Sequence, residues 1–219
     1  MKSEEVFFEN LNLLFRQIFA IIRICILFVF GYDRGMAMKI AVVFGSHRRT
    51  GKNKEIEDML TNLKFDHELD IIRMADIKIE GCSSCYKCAN EKECIIQDDF
   101  SSILNRLINA DIIFIITPVY SAIPSKLTAL FERLTSLLFA TELMNTERNP
   151  LYGKGAAIFN YCSCGIVDET PIKLIFQKFL MKEYSFFEVN YMFINNCPNA
   201  DEKYNHNVCE YIKDVVLSL

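Results

Sequence analysis

Four cysteines fall within thirteen residues of one another in the segment GCSSCYKCANEKECIIQDD, at Cys82, Cys85, Cys88 and Cys94. Two-residue gaps let one tight turn present successive thiolates, and the short excursion Ala89 to Glu93 brings back the fourth. Such a set suits a compact [4Fe–4S] cluster, although the last gap is longer than in the bacterial ferredoxin run and no Pro follows it. Structural zinc is a second reading, because four thiolates also satisfy Zn²⁺ tetrahedrally. Thiols that hold no metal are the third. The chain has nine cysteines, and their bunching points to a reducing, cytoplasmic setting rather than to the spread-out bridges of a small secreted protein.

A second chemical signal is the loop GSHRRTGKN, Gly45 to Asn53. Small and hydrogen-bonding residues there turn backbone N–H groups and a helix amino end toward an anion, and Arg48, Arg49, Lys52 and Lys54 add positive charge before the first acid, Glu55. The loop is neither a Walker A sequence, since no hydroxyl follows Lys52, nor the three-glycine dinucleotide fingerprint. A third is TPVYSAIPSKLTALFERL, in which Pro118 and Pro124 bracket a stiff loop and Tyr120 offers a flat aromatic to wall a planar heterocycle. Ser125, Lys126 and Arg133 read as surface groups of the helix that follows. Cys162 and Cys164 are too close for an ordinary disulfide and read as packed thiols. Cys25, Cys197 and Cys209 read as apolar fillers, and His47 as an exposed loop residue. No Ser–His–Asp or paired-carboxylate constellation is present, so no catalytic side chain is assigned.

These loops need a frame. Ile40 to Phe44, Asp70 to Arg73, Asp111 to Thr117, Gly155 to Tyr161 and Phe186 to Asn195 are short, mostly continuous apolar runs, the pattern of strands covered on both faces. Helical periodicity lies between them. Ile56, Met59, Leu60 and Leu63 share one face, Phe100, Ile103, Leu104, Leu107 and Ile108 a second, and Leu127, Leu130, Phe131, Leu134 and Leu138 a third. Pro171 opens a fourth helix, and Tyr204, Val208, Tyr211, Ile212 and Val215 mark a fifth. Alternating strands and helices predict an α/β doubly wound, five-stranded parallel sheet of order 2-1-3-4-5. Ligands of such a sheet bind beyond the carboxyl ends of its strands, where the three loops lie.

With 219 residues, a formal charge of -4 and a pI near 5.5, the chain has no overall basic field for nucleic acid. Residues 1–35 stand apart from the single domain at 36–219. Leu11 to Tyr32 is strongly apolar, but Arg16, Gln17 and Arg23 interrupt it, and the uncharged run Ile24 to Tyr32 is far shorter than the roughly 20 residues of a membrane span. Acidic residues occupy the place of a signal peptide's basic end. The readings for this segment are a start codon placed upstream of Met36 or Met38, and a helix that associates with a membrane or partner.

Taken jointly, the GSHRRTGKN loop, the TPVY loop and the cysteine segment at 81–99 resemble the flavodoxin-like NAD(P)H-dependent FMN reductases, in particular their iron–sulfur flavoprotein branch. The resemblance covers about Met38 to Leu138 in motif terms. It implies that Ser46, Arg48 and Asn53 contact the phosphate of FMN, and that Pro118, Val119 and Tyr120 border its ring system. It also implies Cys82, Cys85, Cys88 and Cys94 as cluster ligands. After the Asn the family usually carries Ser or Thr. Here Lys54 stands in that place, with an ammonium expected to pair with the phosphate instead. The resemblance further implies a homodimer or homotetramer. Two functions follow: a reductase passing electrons from NAD(P)H through FMN to a small acceptor such as a quinone, flavin or oxygen species, or a carrier accepting electrons from a ferredoxin.

Overall fold

The computed structural model describes residues 37–62, 67–91, 93–120, 122–145, 150–162, 167–183 and 188–194. The expectations for residues 1–35, for the helix at Tyr204 to Val215, and for Leu63, Cys164, Cys197 and Cys209 lie outside them. Among the described residues no helix is long and apolar enough to cross a membrane.

The element order is β1 (Lys39–Phe44), α1 (Lys52–Asn62), β2 (Glu68–Arg73), α2 (Cys88–Glu91), α3 (Phe100–Ile108), β3 (Ile112–Pro118), α4 (Ser125–Asn145), β4 (Gly155–Tyr161), α5 (Glu169–Gln177) with a π-helical turn at Lys178–Glu183, and β5 (Glu188–Ile194). All strand pairs are parallel, in the spatial order β2-β1-β3-β4-β5. The four strands from β2 to β4 carry the loops of interest, and β5 lies outside them at the edge. Among the described residues, the single turn α2, which forms inside the cysteine segment itself, and the π-helical turn are absent from the sequence reading.

Parallel pairing requires a cover on each face, and the burial pattern supplies it. Ala41, Val43, Ile113 and Ile115 join one core cluster with Phe100, Ile103 and Leu107 of α3 and Leu127, Leu130, Phe131, Leu134 and Leu138 of α4. At the alternating positions Ile40, Val42, Phe44, Phe114 and Ile116 are buried without belonging to that cluster, as are Ile56 and Leu60 of α1. Each such side chain contributes about 1.5–3 kcal/mol by leaving water. Helix α5 starts where Asp168, in an extended conformation, accepts the Thr170 N–H on its side chain at 2.9 Å. Pro171 falls in its first turn, where a missing N–H costs nothing.

The carboxyl ends of β1 and β3 are drawn together by Gly45, whose N–H donates to the Ile116 carbonyl at 2.8 Å. A Cβ on Gly45 would overlap the Thr117 hydroxyl and lie 2.8 Å from the Thr117 Cβ and 3.0 Å from Leu127 Cδ2. Gly45→Ala should therefore cost about 1–3 kcal/mol, the range of an overpacked core. Chemical denaturation measures it, and an unchanged midpoint would mean that the loop can swing clear of β3.

Candidate functional site

The loop from Gly45 to Gly51 turns at the tip of β1 and enters α1 directly. Gly51 has φ +83°, a left-handed conformation that favours glycine, and its carbonyl accepts the N–H groups of Lys54 and Glu55 to open the helix. The Ser46 hydroxyl accepts the Arg48 N–H at 3.0 Å and so tightens the turn. Ser46, Lys52 and Asn53 are buried, whereas Arg48 and Arg49 are exposed. Beyond this turn opens a cavity of about 270 Å³ lined by Ser46, Arg48, Asn53 and Lys54 together with Glu57 and Arg73.

Within that lining the charges are unequally committed. Arg73 forks Glu57 at 2.6 and 2.8 Å, and Lys54 Nζ donates to Glu57 at 3.1 Å and to Asp58 at 2.5 Å. Hydrogen bonds from Arg73 hold the Glu57 carboxyl below the usual carboxylate range against the opposing effect of burial. Arg49 pairs with Asp76 at 2.6 Å, and Lys52 with Glu55 at 3.0 Å. The expectation that the Lys54 ammonium serves an anion thus meets a competing pair of acids one helical turn away on its own helix. The guanidinium of Arg48 has no partner among the described residues.

A second uncommitted donor stands beside it. Asn53 is 5% exposed, and its Oδ1 accepts the Tyr161 hydroxyl at 2.7 Å, while its Nδ2 is buried with no hydrogen-bond partner. A buried donor left unpaired costs about 1–3 kcal/mol, and Asn53 is among the residues that line the cavity. The arrangement fits an oxyanion such as a phosphate group. It has a lone guanidinium, an unpaired amide donor and the first turn of a helix.

Pro118 and Val119 are buried and Tyr120 is exposed at the neighbouring strand end. The Val119 N–H donates to the Tyr161 carbonyl at 2.7 Å, which ties the loop after β3 to the end of β4. These three residues do not line the cavity. His47 is exposed as expected, and its Nε2 accepts the N–H of Lys126 at 3.3 Å.

The cysteine segment leaves β2 and returns at α3, and its two stems are fastened together. Lys78 N–H donates to Asp99 Oδ2 at 2.7 Å, and Asp99 N–H returns to the Lys78 carbonyl at 3.0 Å. Asp98 accepts Glu80 N–H and Phe100 N–H, each at 3.0 Å, and Arg133 Nη1 at 2.5 Å. Inside this closed base, Ser84 and Tyr86 take φ of 51° and 58°, values uncommon outside glycine that bend the chain sharply around Cys85.

The thiols meet α4 at Ser136. Its hydroxyl lies 3.3 Å from Cys82 Sγ, and its carbonyl accepts the Cys88 thiol at 3.9 Å. Ser84 N–H donates to Cys82 Sγ at 3.4 Å. The Lys87 N–H and then the Ser83 hydroxyl lower the pKa of the exposed Cys85 thiol. Burial pushes the Cys88 thiol up, and the neighbouring Cys94, Cys82 and Cys85 add to that shift. Among the described residues no three such side chains approach closely enough to hold a metal ion. By type, four thiols with amide and hydroxyl donors near sulfur suit an iron–sulfur cluster and Zn²⁺ alike.

Two expectations on α4 are overturned. Arg133 is not a surface group: its side chain is 1% exposed, paired with an equally buried Asp98, and its guanidinium sits 4.2 Å from the centre of the Phe100 ring. The reason is periodicity, since Leu130 at i−3 and Leu137 at i+4 put position 133 on the core-facing stripe. Nor is Lys126 a surface group. Its ammonium donates to the carbonyls of Met74 at 2.9 Å, Ala75 at 3.4 Å and Ile77 at 2.6 Å, capping the strand-to-cysteine connection. Tyr161 and Asp98, both central to the geometry, carry no motif. The only sequence signal for Tyr161 is its place at the carboxyl end of an apolar strand.

The parallel sheet, with a basic loop at its first strand end and thiols after its second, is a doubly wound α/β domain whose candidate site lies at the carboxyl ends of its strands. The chain belongs to the NADPH-dependent FMN reductase family, whose profile matches residues 38–167, and so to a family of oxidoreductases. It is 29% identical over 99 residues to an iron-sulfur flavoprotein of Methanosarcina thermophila, covering 44% of this chain and 52% of that one. An iron-sulfur flavoprotein of Methanocaldococcus jannaschii is 29% identical over 147 residues, covering 66% of this chain and 72% of its own length. The match thus spans about half the length of the first relative. In fold, an NAD(P)H:quinone oxidoreductase from Methanothermobacter marburgensis superposes with a TM-score of 0.59 at 14% identity, covering 83% of this chain and 96% of that one.

Proposed function

We propose that the chain binds FMN through its phosphate at the β1–α1 loop and transfers electrons from NAD(P)H to a small acceptor, a quinone, a flavin or an oxygen species. Bound FMN would supply the acceptance of a hydride as an electron pair and its release one electron at a time, and a [4Fe–4S] cluster would supply a one-electron station. Ser46, Arg48 and Asn53 would hold the phosphate, with Pro118, Val119 and Tyr120 beside the ring system. Cys82, Cys85, Cys88 and Cys94 would hold the cluster. No acid–base side chain is needed for this chemistry, because the protein's task is to bind, orient and exclude.

The observation that carries the reading is the pair of uncommitted donors, Arg48 and the Asn53 amide, lining one cavity at the tip of the first strand in a chain of the FMN reductase family. Arg48→Ala should raise the dissociation constant for FMN about tenfold, the scale of one charge-assisted contact at a partly exposed site. Flavin fluorescence titration measures it, and unchanged affinity would remove Arg48 from the phosphate site.

A second reading is favoured by the cysteine segment: a carrier that accepts single electrons from a ferredoxin and uses nicotinamide poorly. Anaerobically purified protein separates the two. Rapid bleaching of the flavin absorbance by NADPH or NADH supports the reductase, and bleaching by reduced ferredoxin alone supports the carrier. Under either reading we propose a homodimer or homotetramer, which sedimentation would test.

A further inference from the structure

We infer that Tyr161 is a positioning residue for the flavin phosphate, holding the Asn53 side chain so that its amide donor, and not its carbonyl, faces the bound anion. The inference deepens the FMN reading and rests on it. Asn53 is a two-sided group whose Oδ1 accepts and whose Nδ2 donates, and the two ends differ little in shape. Turned one way it offers a phosphate a hydrogen bond. Turned the other way it offers a carbonyl dipole of the wrong sign. Which end is held depends on the hydrogen-bond partner, and a phenol, which can donate or accept, holds the oxygen only where it is placed to donate.

That partner is the Tyr161 hydroxyl, 2.7 Å from Asn53 Oδ1 in a buried bond between groups 108 positions apart in the chain. Tyr161 itself is well anchored. It is the last residue of β4, in register with Pro118 of β3, and its carbonyl accepts the Val119 N–H at 2.7 Å. Its ring stacks on Phe159 with centroids 6.1 Å apart and an interplanar angle of 27°. The ring is thus fixed by strand pairing and packing, and the hydroxyl alone reaches across to the anion loop. With Oδ1 occupied, Nδ2 is the end left without a partner, and Asn53 lines the cavity. One phenol therefore links the loop that carries the phosphate donors to the strand ends beside which the ring system is proposed to lie.

Tyr161→Phe tests the inference in the full chain, stripped of flavin and titrated with FMN and with riboflavin, which lacks the phosphate. Phenylalanine keeps the ring and its stacking and removes only the hydroxyl. The expected result is a rise of about tenfold in the FMN dissociation constant, the loss of one oriented hydrogen bond, with riboflavin affinity unchanged. An equal loss for both ligands would overturn the inference, because the hydroxyl would then support the pocket as a whole. Unchanged FMN affinity in the variant, with wild-type protein binding FMN, would overturn it while leaving the FMN reading intact. Wild-type protein that binds neither flavin would bring down both.

Discussion

Arg133→Ala should lose about 3–5 kcal/mol of folding stability, the cost of stranding a buried carboxylate whose counter-charge has been removed. Neither partner has access to water: both side chains are 1% exposed. Arg133 also reaches the Ile96 carbonyl at 3.4 Å and covers the Phe100 ring, so its removal opens a cavity beside the core as well. Urea unfolding followed by far-ultraviolet circular dichroism reads the change. A loss under about 1 kcal/mol, the range of an exposed ion pair, would mean that the pair is open to solvent. The same pair sets an acid limit. Burial works to raise the pKa of the Asp98 carboxyl, but the Glu80 and Phe100 amides and Arg133 outweigh it and hold the value below the ordinary 3.8. The folded value is depressed, so the stability from Asp98 is complete above about pH 4 and is lost as pH falls through the lower folded value.

Cys88→Ser should come through anaerobic purification with its flavin and with most of its iron and acid-labile sulfide gone. A tetranuclear cluster needs four ligands, and Cys88 is one of the four proposed. It begins the single turn α2, packs against the core cluster and bonds the Ser136 carbonyl, so no other side chain can take its place. The proposed flavin site lies in different loops and should be unaffected. Iron and sulfide at wild-type content in the variant would defeat the ligand assignment. Zinc at one equivalent in the wild-type protein, lost in the variant, would support the tetrahedral site instead.

How much of this was legible in the chain depended on whether the signal was local. The strands were readable because most are nearly continuous apolar runs, β1 and β3 above all, and Leu127, Leu130, Phe131, Leu134 and Leu138 all face the core as their spacing predicts. The turn from β1 into α1 was readable because its glycines, hydroxyls and cations are contiguous. Arg133 was misread because a charge on a helix defaults to solvent. Only its partner Asp98, 35 positions earlier, makes burial possible. Lys54 lines the cavity as its place beside the loop suggests, but its pairing with Glu57 and Asp58 at i+3 and i+4 on the same helix is a spacing signal as well. Tyr161 was invisible as a site residue because its role exists only when β4 is laid beside β3.

Helix α4 has a geometric consequence of its own. At its first turn the Lys126 N–H touches His47 of the anion loop, and ten residues later Ser136 touches two of the thiols. At 1.5 Å per residue that separation is about 15 Å, so one rigid rod serves as a ruler between the two ends of the machinery. Adding or deleting a single residue between those two points would change the spacing by about 1.5 Å and rotate one end by about 100° against the other. Length and phase are locked together, and this stretch of helix can vary in side chains far more readily than in the number of its residues.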